Sequence, residues 1–336
     1  MKKFILRRLL LGIIVMLGVA FITFFLTRVI PSDPAAKWVG PRANPEQIAK
    51  ARIELGLDKP LYVQFFKYMG DLLQGDLGYS LRSRRPIMLE LQENLPATFE
   101  LVFISTIAAV FIGIPLGVIS ANRKDQWIDH LSRLFSVGVV SLPTFWVGLI
   151  LQLLFFRTLH IFPLGGQLST EIKLTMEIPN ITGFLTFDSL VTGNFRILTD
   201  VLWHMVLPGI TIGLYPVGLV ARMTRSALLE ILNEDYITSA RSYGLSERIV
   251  LWSYALKNSI GATSTVVALS IGYTLVNTFL TESIFSWPGI GSYIATAVIG
   301  LDYPAIMGVT IFSAFSYVIL NMIADIIIAV DPRVRA

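Results

Sequence analysis

Five uncharged polar side chains recur at helical spacing in an otherwise apolar run in the C-terminal part of the chain. They are Thr263, Ser270, Thr274, Asn277 and Thr281. Offsets of seven, four, three and four residues place them on one stripe of a helix. Because hydroxyl and amide groups are costly against lipid, such a stripe either lines a water-filled path or bonds to a neighbouring helix. We predict that it lines a translocation path, with interhelical bonding as the alternative.

The remaining reactive side chains show no arrangement typical of an enzyme. The sequence contains no cysteine, no G-x-x-x-x-G-K-[ST] phosphate loop and no G-x-S-x-G nucleophile motif. His130, His160 and His204 have no metal-ligand spacing. We therefore predict a chain without an active site, a metal or a cofactor of its own. Any energy from ATP would have to come through separate subunits.

A charged segment, residues 222–257, separates two long apolar runs. Its pattern predicts two short helices that meet at Gly244, a residue suited to a left-handed helix end. The apolar stripe of the first helix comprises Leu229, Leu232, Tyr236, Ala240 and Tyr243. Ser246 and Glu247 have the N-cap and first-turn chemistry of the second helix. An amphipathic helix held in water beside the membrane indicates docking on a soluble partner.

Composition and apolar runs predict an all-α polytopic membrane protein. Hydrophobic residues make up 54% of the chain, charged residues only 15%, and the mean hydropathy is +0.67. The charge-free runs long enough to cross a bilayer are 9–27, 101–122, 134–156, 201–221, 258–281 and 303–324. They predict a bundle of six transmembrane helices, because unbroken apolar runs do not suit a barrel.

The distribution of Lys and Arg predicts that both termini are cytoplasmic. Basic residues gather at 2–8, 123–133, 222–257 and 333–335, whereas the loop 285–302 has none. We expect Arg222 and Arg225 to anchor the fourth span at the lipid headgroups, and Glu282 to lie at a solvated span end. The first span is too long for the apolar core of a cleavable signal peptide and is expected to be retained.

The segment between the first two spans is long enough to hold structure of its own. It predicts a helix over 45–55 stopped by Gly56, a second helix over 61–73, and a turn at residues 75–78. The predicted domain organisation is an N-terminal anchor with the first span (1–30), an external segment (31–96), a permease domain (97–329) with the loop 222–257, and a cytoplasmic tail (330–336).

Sequence motifs distributed along nearly the whole chain carry a family resemblance. They are Ile30-Pro31-Ser32-Asp33-Pro34-Ala35, Leu55-Gly56-Leu57-Asp58-Lys59-Pro60, Gly75-Asp76-Leu77-Gly78, Ser141-Leu142-Pro143-Thr144-Phe145, Ala221-Arg222-Met223-Thr224-Arg225-Ser226, Glu234-Asp235-Tyr236-Ile237, Phe285-Ser286-Trp287-Pro288-Gly289-Ile290-Gly291, Asp302-Tyr303-Pro304 and Asp331-Pro332-Arg333. In order and spacing the chain resembles the inner-membrane permease subunits of ATP-binding-cassette importers for dipeptides and oligopeptides. That group also includes glutathione and nickel permeases.

The resemblance implies a type I importer permease fold and a coupling helix that inserts into an ATPase subunit. The positions matching the family's E-A-A, three residues, then G pattern are Thr238, Ser239, Ala240 and Gly244, and Leu256 matches the later hydrophobic position. The neighbouring residues assigned to coupling are Glu234, Asp235, Tyr236 and Arg241. This chain departs from the pattern at Thr238 and Ser239, and Lys257 stands where a proline is often found.

The resemblance further implies import of short peptides by alternating access across the bacterial inner membrane. The implied partners are a second, homologous permease, two ATPase subunits and an extracytoplasmic peptide-binding protein; no nucleic acid is implied. Glutathione or a nickel chelate is the alternative solute. A stand-alone secondary transporter is a further alternative, but the sequence lacks the internal repeats typical of that class.

Overall fold

The computed structural model describes residues 2–29, 33–40 and 42–330, and helices account for most of them. The helices are α1 (Lys2–Val29), α2 (Pro34–Val39), α3 (Pro45–Glu54), α4 (Leu61–Leu73), α5 (Ile87–Asn122), α6 (Trp127–Ser141), α7 (Thr144–Thr158), α8 (Thr170–Thr175), α9 (Leu185–Val191), α10 (Phe195–Ile231), α11 (Asp235–Ser242), α12 (Glu247–Ile284), α13 (Ile290–Gly300) and α14 (Tyr303–Val330). The all-α prediction is confirmed. Pro31, Ser32 and the motif Asp331-Pro332-Arg333 lie outside the described residues.

Five of the described helices are long and apolar enough to cross a membrane, and the count reaches six if the pair α6 and α7 forms one span. The five are α1, α5, α10, α12 and α14. Most extend beyond the predicted runs, because polar and charged turns at their ends stay helical once the apolar part is fixed. Each predicted run therefore corresponds to an observed helix or, in one case, to a helix pair.

The third predicted span, 134–156, is not one straight helix. α6 and α7 meet at an angle of 104°. The break falls at Leu142, which is extended at φ −82° and ψ 138°. Pro143 causes it, since the proline ring disfavours helical geometry in the preceding residue and supplies no N–H to continue the helix. The prediction of an uninterrupted span was wrong at this point.

Packing divides the chain into two compact units, of which the first comprises residues 1–96 and 288–318. In this unit α1 meets α4 through aromatic rings, with the centroids of Phe24 and Tyr68 5.8 Å apart. A buried carboxylate, Asp302, accepts hydrogen bonds from the Ser80 hydroxyl at 2.5 Å and from the amides of Leu81 and Arg82 at 3.1 Å. The carboxylate thus fixes the turn that precedes α5.

The short helices of the first unit follow local sequence signals. α3 begins with a capping box, in which Asn44 accepts from the Gln47 amide and Gln47 accepts from the Asn44 amide. The predicted helices 45–55 and 61–73 are confirmed as α3 and α4. The predicted turn at residues 75–78 is confirmed as well, with Gly75 and Gly78 at φ +78° and +79°.

The second unit comprises residues 97–287 and 319–336 and contains the packing of α5, α6, α7 and α12 around α10. Small residues allow α5 to approach α10 closely. A Cβ atom on Gly117 would lie 2.6 Å from the Thr224 Cβ, and one on Gly113 would lie 2.9 Å from the Val217 carbonyl oxygen. Two glycines four residues apart are a common motif at close helix–helix contacts in membranes.

Candidate functional site

The helix α11 lies between the ends of two candidate spans, α10 and α12. It begins at Asp235, after Glu234 in extended geometry. The predicted first helix of the charged segment was too long, because Leu229 belongs to α10 and the chain turns at 232–234. Leu229 and Leu232 therefore cannot share a helix face with residues of α11, and that part of the predicted stripe was wrong.

The C-terminus of α11 is a Schellman motif. Gly244 has a φ of +78°, its amide donates to the Arg241 carbonyl at 2.9 Å, and the Leu245 amide donates to the Ala240 carbonyl at 3.3 Å. Leu245 also packs against the buried cluster that contains Ala240. The predicted helix end at Gly244 is confirmed, and the positive φ explains why glycine suits this position.

One side of α11 is anchored on the ends of the long helices. Ile237 and Ala240 are buried against residues of three other helices, namely Val118 and Ala121 of α5, Leu228 of α10, and Val250, Leu251 and Ala255 of α12. Tyr236 and Tyr243 are exposed, at 40% and 87% of their surface. Ala240 therefore lies on a face packed against the chain's own helices, while the two tyrosines of the predicted stripe lie off that face.

The outward side of α11 is polar and exposed. The predicted coupling residues Glu234, Asp235, Tyr236, Thr238, Ser239, Arg241 and Gly244 are all exposed, and Leu256 is half-buried in the adjoining part of α12. Arg241 donates to Glu247 at 2.8 Å, and the Tyr236 hydroxyl accepts from Asn258 at 3.0 Å. A helix held on one side by packing and exposed on the other can transmit a push from a partner to the long helices.

A buried ion pair fixes α10 to α6. Arg225 donates to both carboxylate oxygens of Asp129, and Asp129 is completely buried. The same carboxylate accepts from the Ser120 hydroxyl at 2.6 Å and from the Asp125 amide at 3.0 Å. Arg225 is therefore an interhelical residue, and its predicted role as a headgroup anchor was wrong. The sequence signal was an acidic residue, Asp129, in the first turn of an apolar helix.

The polar stripe of α12 splits into two environments. Four of its residues are buried within the chain, namely Thr263, Ser270, Thr274 and Thr281. The Thr263 hydroxyl lies 3.2 Å from that of Thr224 on α10, whereas Asn277 is exposed and donates to the Tyr273 carbonyl of its own helix. Tyr273 stacks on Tyr215 of α10 with centroids 4.4 Å apart.

The polar residue at the end of this helix is also buried. Glu282 is completely buried and accepts a hydrogen bond from the Thr98 hydroxyl at 2.7 Å. The expectation of a solvated span end was wrong, because residues 97–101 cover this end of α12 within the second unit. Nearby, the Trp287 indole donates to the Ala97 carbonyl at 2.9 Å.

The described residues contain no group of three His, Asp or Glu side chains placed to hold a metal ion. His204 is buried and its Nδ1 lies 2.8 Å from the Asp200 carbonyl of its own helix. His130 lies beside Arg133, with 2.7 Å between Nδ1 and Nη2. His204 is thus a packed histidine, whereas His130 is exposed.

These features define a multi-pass helical membrane protein with a short helix, exposed on one side, between two of its long apolar helices. Two family models match the chain: "Binding-protein-dependent transport system inner membrane component" over residues 113–336, and the N-terminal part of such membrane components over residues 1–102. The chain belongs to this family of binding-protein-dependent transport permeases. It is a membrane transport component and not a catalytic enzyme, and membership implies a binding protein and ATPase subunits as partners.

Individual relatives match along their whole length. The probable D,D-dipeptide transport system permease protein DdpB of Escherichia coli is 42% identical over 323 residues, covering 96% of this chain and 94% of the relative. The dipeptide transport system permease protein DppB of Alkalihalophilus pseudofirmus is 39% identical over all of both chains. The di/tripeptide transport system permease protein DppB of Pseudomonas aeruginosa is 40% identical, over 100% of this chain and 99% of the relative.

Proposed function

We propose that this chain is a permease subunit of an ATP-driven importer that moves dipeptides or oligopeptides across the cytoplasmic membrane. The observation that carries the proposal is the full-length similarity, at 37–42% identity, to permeases named for dipeptide transport. Similarity of this extent covers the segment between α1 and α5 as well as the long helices.

We propose that α11 is the coupling helix. Its exposed side, from Glu234 to Arg241, would contact an ATPase subunit, and its buried residues Ile237 and Ala240 would pass the movement to α5, α10 and α12. The Schellman turn at Gly244 holds the helix at a fixed angle to α12. Support comes from its position between two long helices and from its one-sided burial.

We propose that α12 borders the translocation path on the side that exposes Asn277. The four buried members of the stripe would then hold α12 against the rest of the second unit, as the Thr224–Thr263 contact does. Both termini and α11 are proposed to be cytoplasmic, on the basis of the Lys and Arg distribution. The segment 31–96 would then be external, and 97–329 would be the permease domain, followed by the tail 330–336.

The proposed assembly contains this chain, a second homologous permease, two ATPase subunits and an extracytoplasmic peptide-binding protein. No cofactor is proposed for this chain. On ATP binding the two ATPases would close, move the coupling helices and open the path outward. ATP hydrolysis would return the permeases to their starting conformation. In this scheme each permease supplies one coupling helix and half of the path.

The test is ATP hydrolysis by the purified assembly in proteoliposomes with its binding protein present. We expect a dipeptide to stimulate hydrolysis, whereas glutathione and a nickel chelate should not. Stimulation only by glutathione or by the chelate would mean that the same assembly imports that solute instead of dipeptides. Purification of the chain without any ATPase subunit would contradict the proposal itself.

A further inference from the structure

A cavity whose lining includes three arginines lies between α5, α6 and α10. Its volume is about 210 Å³, and its lining includes Arg133, Arg222 and Arg225. Asp129 neutralises Arg225, but among the described residues Arg133 has only His130 as a polar partner. Arg222 makes no hydrogen bond or ion pair with any residue in the described part of the chain. Two positive charges at this cavity are therefore uncompensated.

The cavity also offers neutral hydrogen-bond donors. Ser132, Ser136 and Ser226 are among its lining residues, and none of their hydroxyl groups bonds to another described residue. Guanidinium groups combined with hydroxyls are the donors that bind phosphate oxygens, because each supplies N–H or O–H groups and none carries negative charge. The cavity is thus suited to an anionic phosphate group.

An apolar groove continues from this cavity along the same helices. It has a volume of about 290 Å³ and is lined by α5, α10 and Phe135 of α6. On both α5 and α10 the cavity begins one helical turn after the groove. Ile112 and Val217 line the groove, and Leu116 and Ala221, four residues further along the two helices, line the cavity. No charged residue is among the residues lining the groove. A molecule that filled both sites would need an anionic end and a hydrocarbon chain.

We propose that the cavity and groove bind one anionic phospholipid, with its phosphate at Arg133 and Arg222 and an acyl chain along the apolar groove. Charge complementarity selects the anionic headgroup, since arginines near a membrane surface attract anionic lipids. Leu202 and Ile210 of the groove are exposed, at 45% and 43%, on α10, a helix long enough to span the bilayer. The lipid would fill the gap between α5, α6 and α10, next to the Asp129–Arg225 pair.

The test is native mass spectrometry of the full-length protein, with the subunits that copurify, after delipidation and titration with phosphatidylglycerol or phosphatidylcholine of the same chains. We expect phosphatidylglycerol to bind more tightly. The double variant R133Q/R222Q should lower its affinity roughly 30-fold, at about fivefold for each arginine. The matched variant R123Q/R248Q removes two exposed arginines outside the cavity and should leave the affinity unchanged.

Two further measurements separate the lipid from other occupants. Ala108→Phe narrows the groove and should weaken phosphatidylglycerol without changing the binding of glycerol phosphate, which has no acyl chain. Displacement of the lipid by millimolar inorganic phosphate would indicate a site for a free anion and overturn the proposal. Equal binding of both lipids, or wild-type affinity in R133Q/R222Q, would also overturn it. So would cross-linking of Phe135→Cys to a second permease subunit, because a protein would then cover the groove.

Discussion

Arg225 donates hydrogen bonds from Nε and Nη2 to the two carboxylate oxygens of Asp129, at 2.6 and 2.7 Å. The pair joins α10 to α6. Asp129 is completely buried, and Ser120 and the Asp125 amide supply its other hydrogen bonds. Removing either partner leaves a charge without compensation, whereas replacing both by apolar residues need not.

We predict that Asp129→Ala destabilises the protein by about 3–5 kcal/mol, because Arg225 is then left without its carboxylate. The double variant D129L/R225M should recover most of this loss, since no charge is left behind. Denaturant titration of the purified protein measures both effects. Equal loss in the single and double variants would show that the carboxylate acts through Ser120 or the Asp125 amide, and not through the arginine.

The turn at Gly244 predicts that a substitution there can abolish transport without preventing membrane insertion. Gly244→Pro cannot adopt a φ of +78°, so the Schellman motif is lost and α11 is no longer held at its angle to α12. We expect membrane insertion to be retained and ATP-driven uptake to be abolished. Gly244→Asn is the control, because asparagine tolerates the left-handed region and should retain most of the uptake. Full transport by the proline variant would count against α11 as the coupling helix.

The split environment of the α12 stripe predicts unequal accessibility to a water-soluble thiol reagent. The chain has no cysteine, so single substitutions can be made in the natural background. A cysteine at Asn277 should react, whereas cysteines at Thr263 and Thr281, both fully buried, should be protected in the resting state. The reactivity of each cysteine is then compared between the resting and the ATP-bound protein. Protection of all five stripe positions in both states would eliminate the proposed path along α12.

The loop before α9 predicts a pH dependence of stability. Burial alone would raise the pKa of Asp188, but hydrogen bonds from the Thr182 hydroxyl and from the amides of Ile181, Thr182 and Gly183 outweigh it and lower that pKa. A lowered folded-state pKa means that the carboxylate stabilises the loop at neutral pH. This stabilisation is lost as the pH falls below the ordinary Asp value of about 3.9.

We therefore expect Asp188→Asn to lower the melting temperature at pH 7, and the difference from wild type to shrink as the pH falls below about 4. Asp58→Asn, which alters an exposed side chain without a hydrogen bond to the described residues, should show no such trend. A difference that stayed constant from pH 7 to pH 3 would mean that the charge of Asp188 is not what holds the loop.

The sequence predicted features that depend on neighbouring residues. The capped helix α3, the apolar runs and the left-handed turn at Gly244 each follow from a local pattern. Features that depend on distant residues were missed. Asp129 and Arg225 are 96 positions apart, and nothing in either neighbourhood indicates the other. The bend at Pro143 had a local signal, but apolar composition on both sides of it favoured a continuous span.

The buried face of α11 could not be predicted from the apolar stripe alone. A periodic apolar stripe predicts which residues share a face only if the helix boundaries are right. Here the chain leaves α10 at Leu232 and restarts at Asp235, so that the register of the stripe changes. Ala240 lies on the buried face, and Tyr243 does not.

We expect this chain to import peptides only when ATPase subunits act on it. The most direct test of this expectation is uptake of a labelled dipeptide into proteoliposomes that contain the purified chain, alone or with its partner permease, ATPases and binding protein. We predict uptake only by proteoliposomes that contain the complete assembly, and only when ATP is present on the side of the membrane that the ATPases face. Uptake by the chain alone, or uptake driven by an ion gradient without ATP, would contradict the account.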